Sequence, residues 1–271
     1  MHKISIEGFS FHGLLKDGMM DIFHMLESIK YRYRVDAVGI WNGFIPSIEK
    51  DYILKIKRAL NERGLVLANL AVDGANVCSD NIEKRETQYA YALKYLDVAA
   101  RLEAKTVRID WGVPREVLTE AEEDLIVRRY REYCGIAQRE GFLLCAENHA
   151  GAARNPGLMK KVFEEIAHPS YRILLHVGSW YCDKEIGDDM ILPYTAHTHV
   201  MHKVVEERLL DTLRLFKKHS YDGYVGVEQH GGNREYEFVE WQTAALRRGF
   251  AELELESGES GESGISGLSD K

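Results

Sequence analysis

Cysteine is sparse and scattered in this chain: Cys78, Cys134, Cys145 and Cys182 form no C-x-x-C pair and no zinc-knuckle rhythm, which leaves reduced thiols in a cytoplasmic protein as the simple reading. No apolar run approaches the roughly 18 residues needed to span a bilayer, and no basic start followed by an apolar core opens the chain. Nothing in it is expected to export or anchor the protein. Positive charge is in deficit, with a formal net charge of −8. A protein that grips a nucleic-acid backbone needs a basic stripe to replace counterions, so nucleic acid is excluded as a partner and small molecules are favoured. Also missing is a G-x-G-x-x-G after the first apolar run, which removes the phosphate turn of an open doubly wound sheet.

What is present is alternation. Short apolar runs suited to buried strands cover residues 3–11, 35–41, 65–72, 105–111, 142–148, 172–178, 196–201 and 223–229, with helical patterns between them. Thr119 followed by Glu122 has capping-box spacing, and that helix should stop at Gly141. Residues after Pro46 and Ser47, residues 80–101 and residues 206–219 repeat apolar positions at helical spacing, whereas the sixth helix, after Trp180, is poorly defined. Eight βα units in 271 residues predict an α/β protein, a single-domain (β/α)8 TIM barrel over residues 1–251. Residues 252–271 turn to Glu, Ser and Gly and read as a solvated, flexible tail.

In such a barrel the carboxyl ends of the strands carry the chemistry. The fifth run ends in Glu147 (AENHAG), the sixth in His176 (ILLHVGSW), the seventh holds His197 and His199 (AHTHVMHK), and the eighth ends in Glu228 (GYVGVEQHG). Alternation puts His197 and His199 on one face and His202 on the other. Two carboxylates and two imidazoles converging over the barrel axis would make a metal site. His149, Arg108, Trp41, Trp111, His12 and His230 stand near strand ends as candidates for holding a substrate, the tryptophans through their flat faces.

The segments ENHAG, PYTAHTHVMHK and YDGYVGVE resemble those of the xylose isomerase-like superfamily, the sugar-phosphate isomerase and epimerase barrels that include tagatose and psicose 3-epimerases. The resemblance covers the last half of the chain in detail and the first half as βα order. It implies one divalent metal held by Glu147, His176, His199 and Glu228. Two departures accompany it. Where the family reads leucine, aspartate, any residue, glycine, this chain has Leu175, His176, Val177 and Gly178. Where it often has His-x-Lys-Asp, this chain has His199, Val200, Met201 and His202, which leaves His202 as an alternative ligand. An imidazole in place of a carboxylate moves the shell toward nitrogen, so Mn2+, Co2+, Fe2+ or Zn2+ suits it better than Mg2+.

The implied reaction is isomerisation or epimerisation of a keto sugar or sugar derivative, with Glu147 and Glu228 moving protons on the two faces of an enediolate. Its partner would be a small carbohydrate, and a homo-oligomer is compatible with it. One rival is a lyase or dehydratase acting on a 3-keto sugar or glycoside. Another is a barrel without metal that binds a ligand or partner protein, a reading prompted by His176.

Overall fold

The computed structural model describes residues 3–262. Eight parallel strands close into one barrel in chain order: β1 (Ile4–Glu7), β2 (Ala37–Trp41), β3 (Val66–Val72), β4 (Thr106–Ile109), β5 (Leu143–Glu147), β6 (Tyr171–His176), β7 (Thr195–Met201) and β8 (Tyr224–Glu228). Closure comes from β1 pairing with β8, Ile4 beside Val225 and Ile6 beside Val227. All eight predicted runs are strands, and a helix follows each one. The strands read as almost continuously apolar because the barrel packs them on one face and the helical ring on the other.

Local signals explain the helix ends. The Thr119 backbone N–H donates to Glu122 Oε2 at 2.9 Å while Glu122 N–H donates to Thr119 Oγ1 at 3.3 Å, so the capping box forms, and the helix Glu120–Glu140 stops at Gly141 with φ of +83°. The helix after β6 is only Gly187–Ile191, in keeping with its weak sequence pattern.

Two boundaries differ from expectation. The first strand ends at Glu7, not Phe11, because the chain turns into a tight helical turn at Gly8–Phe11. A Cβ on Gly8 would lie 3.2 Å from Gly39 O and 3.1 Å from Met25 Sδ, so glycine eases the close approach of this turn to β2. The last helix runs Glu235–Glu262 and overruns the tail boundary placed at residue 252. Leu253 packs into the core and Glu256 pairs with Arg214 at 2.6 Å, contacts that composition alone does not reveal. The rest of the expected tail, residues 263–271, lies outside the described residues. No helix among the described residues is long and apolar enough to cross a membrane.

Candidate active site

Register and alternation bring distant residues to one cavity at the carboxyl end of the barrel. Glu147 is beside Leu174 of β6, and His176, two residues on along the same face, is beside His199 of β7. His199 in turn is beside Gly226, whose missing side chain opens the wall toward β1. Asn148 fixes the end of β6 by accepting from His176 N–H at 2.6 Å and donating to His176 O at 2.9 Å. The cavity has a volume of about 270 Å3; Phe9, Trp41 and His230 form its rim. A larger hollow, about 490 Å3, opens at the opposite end near Lys3 and Tyr221, but no histidine lines it among the described residues.

Glu147 Oε1 lies 3.0 Å from both His176 Nδ1 and His199 Nδ1. Glu228 meets the same rings, Oε1 at 3.3 Å from the same His199 Nδ1 and Oε2 at 3.7 Å from the opposite nitrogen of His176, Nε2. His230 Nε2 is 2.8 Å from Glu228 Oε2. Ligand atoms of Glu147, His176 and His199 lie within reach of one ion, and those of His176, Glu228 and His230 form a second set that shares His176. The four expected ligands therefore line one cavity, three of them as one triad and Glu228 opposite in a second triad that His176 and His230 complete. The donor set fits a divalent cation of intermediate hardness, and the buried His176 Nε2 has no hydrogen-bond partner of its own.

Burial alone would raise the Glu147 carboxyl, but the charge of His199, hydrogen bonds from His176 and His199 and the charge of Arg108 outweigh it and hold the carboxyl well below its usual range. Burial likewise opposes ionisation of Glu228, and His199 with His230 and His176 bring its pKa down to about 2. For His199 burial disfavours charge, yet Glu228 and Glu147 together push it well above an ordinary histidine. Both carboxylates are thus ionised at neutral pH, and without a metal a proton on His199 offsets one of the two charges. A metal would displace that proton, since ligation needs the free imidazole.

Arg108, buried, joins three carboxylates: Nη1 reaches Asp73 Oδ1 at 2.7 Å and Asp110 Oδ2 at 2.9 Å, and Nε lies 3.1 Å from Glu147 Oε2. His149 stands at the rim with Nδ1 3.0 Å from Asp110 Oδ2, and this hydrogen bond lifts its pKa to about 9. A raised histidine pKa means the pairing stabilises the fold in full below about 6.5 and is lost as pH rises through about 9. Asp110→Asn is expected to return His149 to the ordinary histidine range, read by an NMR pH titration of its ring. An unmoved pKa would place the cause elsewhere.

Of the residues proposed from sequence, Glu147, His176, His199, Glu228, Arg108, His149, Trp41 and His230 all line this cavity. Two do not. Trp111 is buried and lines an adjoining chamber of about 310 Å3, because β4 stops at Ile109 and the chain turns outward before the indole. His12 is stacked on Phe9 at 4.5 Å and bonded to Phe9 O, outside the lining. His202 begins the helix His202–Lys218 and belongs to neither triad.

Sequence reasoning missed Glu7, Asp73 and Asp110. Glu7 sat mid-run in a strand drawn too long. Asp73, which accepts from Trp41 Nε1 at 2.8 Å, and Asp110 each stand one residue beyond a strand end, a position that could have signalled them.

A family described as the xylose isomerase-like TIM barrel matches residues 32–248. No curated protein matches. Among solved structures, 3-keto-D-glucoside 4-epimerase from E. coli superposes with a TM-score of 0.75 at 14% identity, over 92% of this chain and 100% of that one. D-Psicose 3-epimerase from Clostridium cellulolyticum H10, solved with D-tagatose, gives 0.73 at 14% identity over 92% and 98%. The probable 3-DHS dehydratase AsbF from Bacillus anthracis gives 0.69 at 12% identity over 90% and 98%. Identities this low establish a shared fold and leave the reaction to be argued from the site.

Proposed function

The chain belongs to the xylose isomerase-like TIM barrel family, and from that premise we propose that it is a divalent-metal-dependent isomerase or epimerase of a keto sugar or sugar derivative. The observation that carries this reading is the cluster of Glu147, His176 and His199, with Glu228 opposite, buried at the strand ends. Glu147, His176 and His199 would hold the cation, with Glu228 completing the shell. When bound, a divalent ion supplies a Lewis acid that polarises a carbonyl and stabilises charge developing on its oxygen.

The chain's own residues do the rest. Glu147 and Glu228 stand on β5 and β8, with two strands between them, and would each accept a proton at its side of a bound sugar carbon. His230 orients Glu228 through the 2.8 Å contact, and Arg108 holds Glu147 Oε2. Phe9 and Trp41, edge to face at 5.2 Å, offer an apolar rim for the non-polar side of a sugar.

One observation favours a second reading, elimination of a β-substituent as a lyase or dehydratase. His149 remains protonated at neutral pH and stands half-exposed at the rim, placed to give a proton to a departing hydroxyl. Incubation with Mn2+ or Co2+ and a panel of keto sugars and 3-keto glycosides in D2O tests both. The expected result is deuterium at the carbon beside the carbonyl together with the epimer, and a released leaving group would favour elimination. No exchange on any sugar with either metal, from protein shown to be folded, would count against both.

A further inference from the structure

Glu7, at the end of β1, has no part in the chemistry described so far, yet the barrel is built around its carboxylate. It is 3% exposed. A Cβ on Gly39, its register partner on β2, would come within 1.5 Å of Glu7 Oε2, and one on Gly226 of β8 within 2.6 Å of Oε1. Both flanking strands thus lack a side chain where the carboxylate lies. Ser5 Oγ donates to Oε1 at 2.8 Å, His197 Nε2 is 3.0 Å from Oε1, and His199 Nε2 faces Oε2 at 3.5 Å. Among the described residues Glu7 is the only carboxylate paired with that buried His199 nitrogen, and no hydrogen bond of standard geometry satisfies it.

A carboxylate accepts hydrogen bonds and cannot donate them, so an imidazole nitrogen turned toward it carries the hydrogen. Without a metal both His199 nitrogens face carboxylates and carry hydrogen, Nε2 toward Glu7 and Nδ1 3.0 Å from Glu147 Oε1 and 3.3 Å from Glu228 Oε1; a cation held by Glu147 and Glu228 would displace the Nδ1 hydrogen alone and leave Nε2–H turned to Glu7. We propose that Glu7 is a positioning residue that fixes the orientation and tautomer of His199, so that Nδ1 is the nitrogen offered to a divalent cation. This rests on the metal-site reading above. A carboxylate retained only to satisfy His197 would leave His199 free to ligate through either nitrogen.

Titration of the unaltered protein and of Glu7→Gln with Co2+, followed by visible absorption and calorimetry, tests the role. Glutamine keeps the size of the side chain but also presents an N–H, which admits the opposite tautomer. The variant is expected to bind Co2+ about 10- to 100-fold more weakly, with an altered absorption band. Unchanged affinity and spectrum would overturn the role of Glu7, whereas no Co2+ binding by the unaltered protein would remove the metal reading itself and this inference with it. Nitrogen-15 resonances of the Zn2+-loaded unaltered protein need no variant and decide the matter should the substitution unfold the chain. They are expected to show His199 ligated through Nδ1 with hydrogen on Nε2, and ligation through Nε2 would refute the assignment.

Discussion

Glu147→Gln is expected to lower turnover of the sugar identified by deuterium exchange by about a hundred- to ten-thousand-fold while the chain stays folded. The substitution is isosteric, so the cavity keeps its shape, but an amide cannot take a proton at neutral pH and ligates a cation weakly. Arg108 keeps Asp73 and Asp110 as partners, and His176 and His199 keep Glu228, so no buried cation is stranded. The loss should fall on kcat, because the group is asked to act in the step and not merely to bind. Steady-state kinetics beside a denaturation curve make the check. Turnover close to that of the unaltered protein would remove Glu147 from both of its assigned roles.

Arg108→Met is expected to destabilise the metal-free protein by about 3 to 5 kcal/mol, the usual cost of stranding a buried charge. Arg108 is the buried cation common to Asp73, Asp110 and Glu147. Asp73, with a side chain 45% exposed, can turn to water, but Glu147, at 2%, cannot, so most of the cost arises there. A divalent ion that binds the folded state alone should then recover part of the loss by mass action. Urea denaturation of the variant with and without Mn2+ measures both effects. A variant as stable as the parent would show that the His176 and His199 contacts suffice to keep Glu147 charged, and a loss that Mn2+ leaves untouched would argue against a cation beside that carboxylate.

Replacement of the family's aspartate by His176 bears on which cation that would be. The imidazole sits within reach of both triads, Nδ1 toward Glu147 and Nε2 toward Glu228. A ring with a nitrogen on each side spans the cavity where a carboxylate would reach from one side only. Such a ring would suit the mixed nitrogen and oxygen shell proposed above, to which Mn2+, Co2+, Fe2+ or Zn2+ would be better matched than Mg2+.

Eight apolar runs, each ending in polar residues, sufficed to define the strands and to say which of their ends present polar side chains to one cavity, because period and punctuation are local properties of a chain. That Glu147, His176, His199 and Glu228 share one cavity was legible for that reason. The position a residue just past a strand end takes was not: Trp111 lines the adjoining chamber and His12 stacks on Phe9 outside the lining, since the turns that place them depend on tertiary packing. Glu7 was hidden by a strand drawn through Gly8, whose reason for turning is the approach of Gly39 O, a group from another strand. The contact between Glu7 and His197 across 190 residues arises only when β1 closes on β8, and the meeting of Glu147, His176 and His199, with Glu228 opposite, depends on the register between β5, β6, β7 and β8. Hydrophobic periodicity acts over a few residues, whereas closure and register are set by every strand pair at once, so the chain by itself determines the barrel and its working end, and the folded barrel decides which side chains meet there.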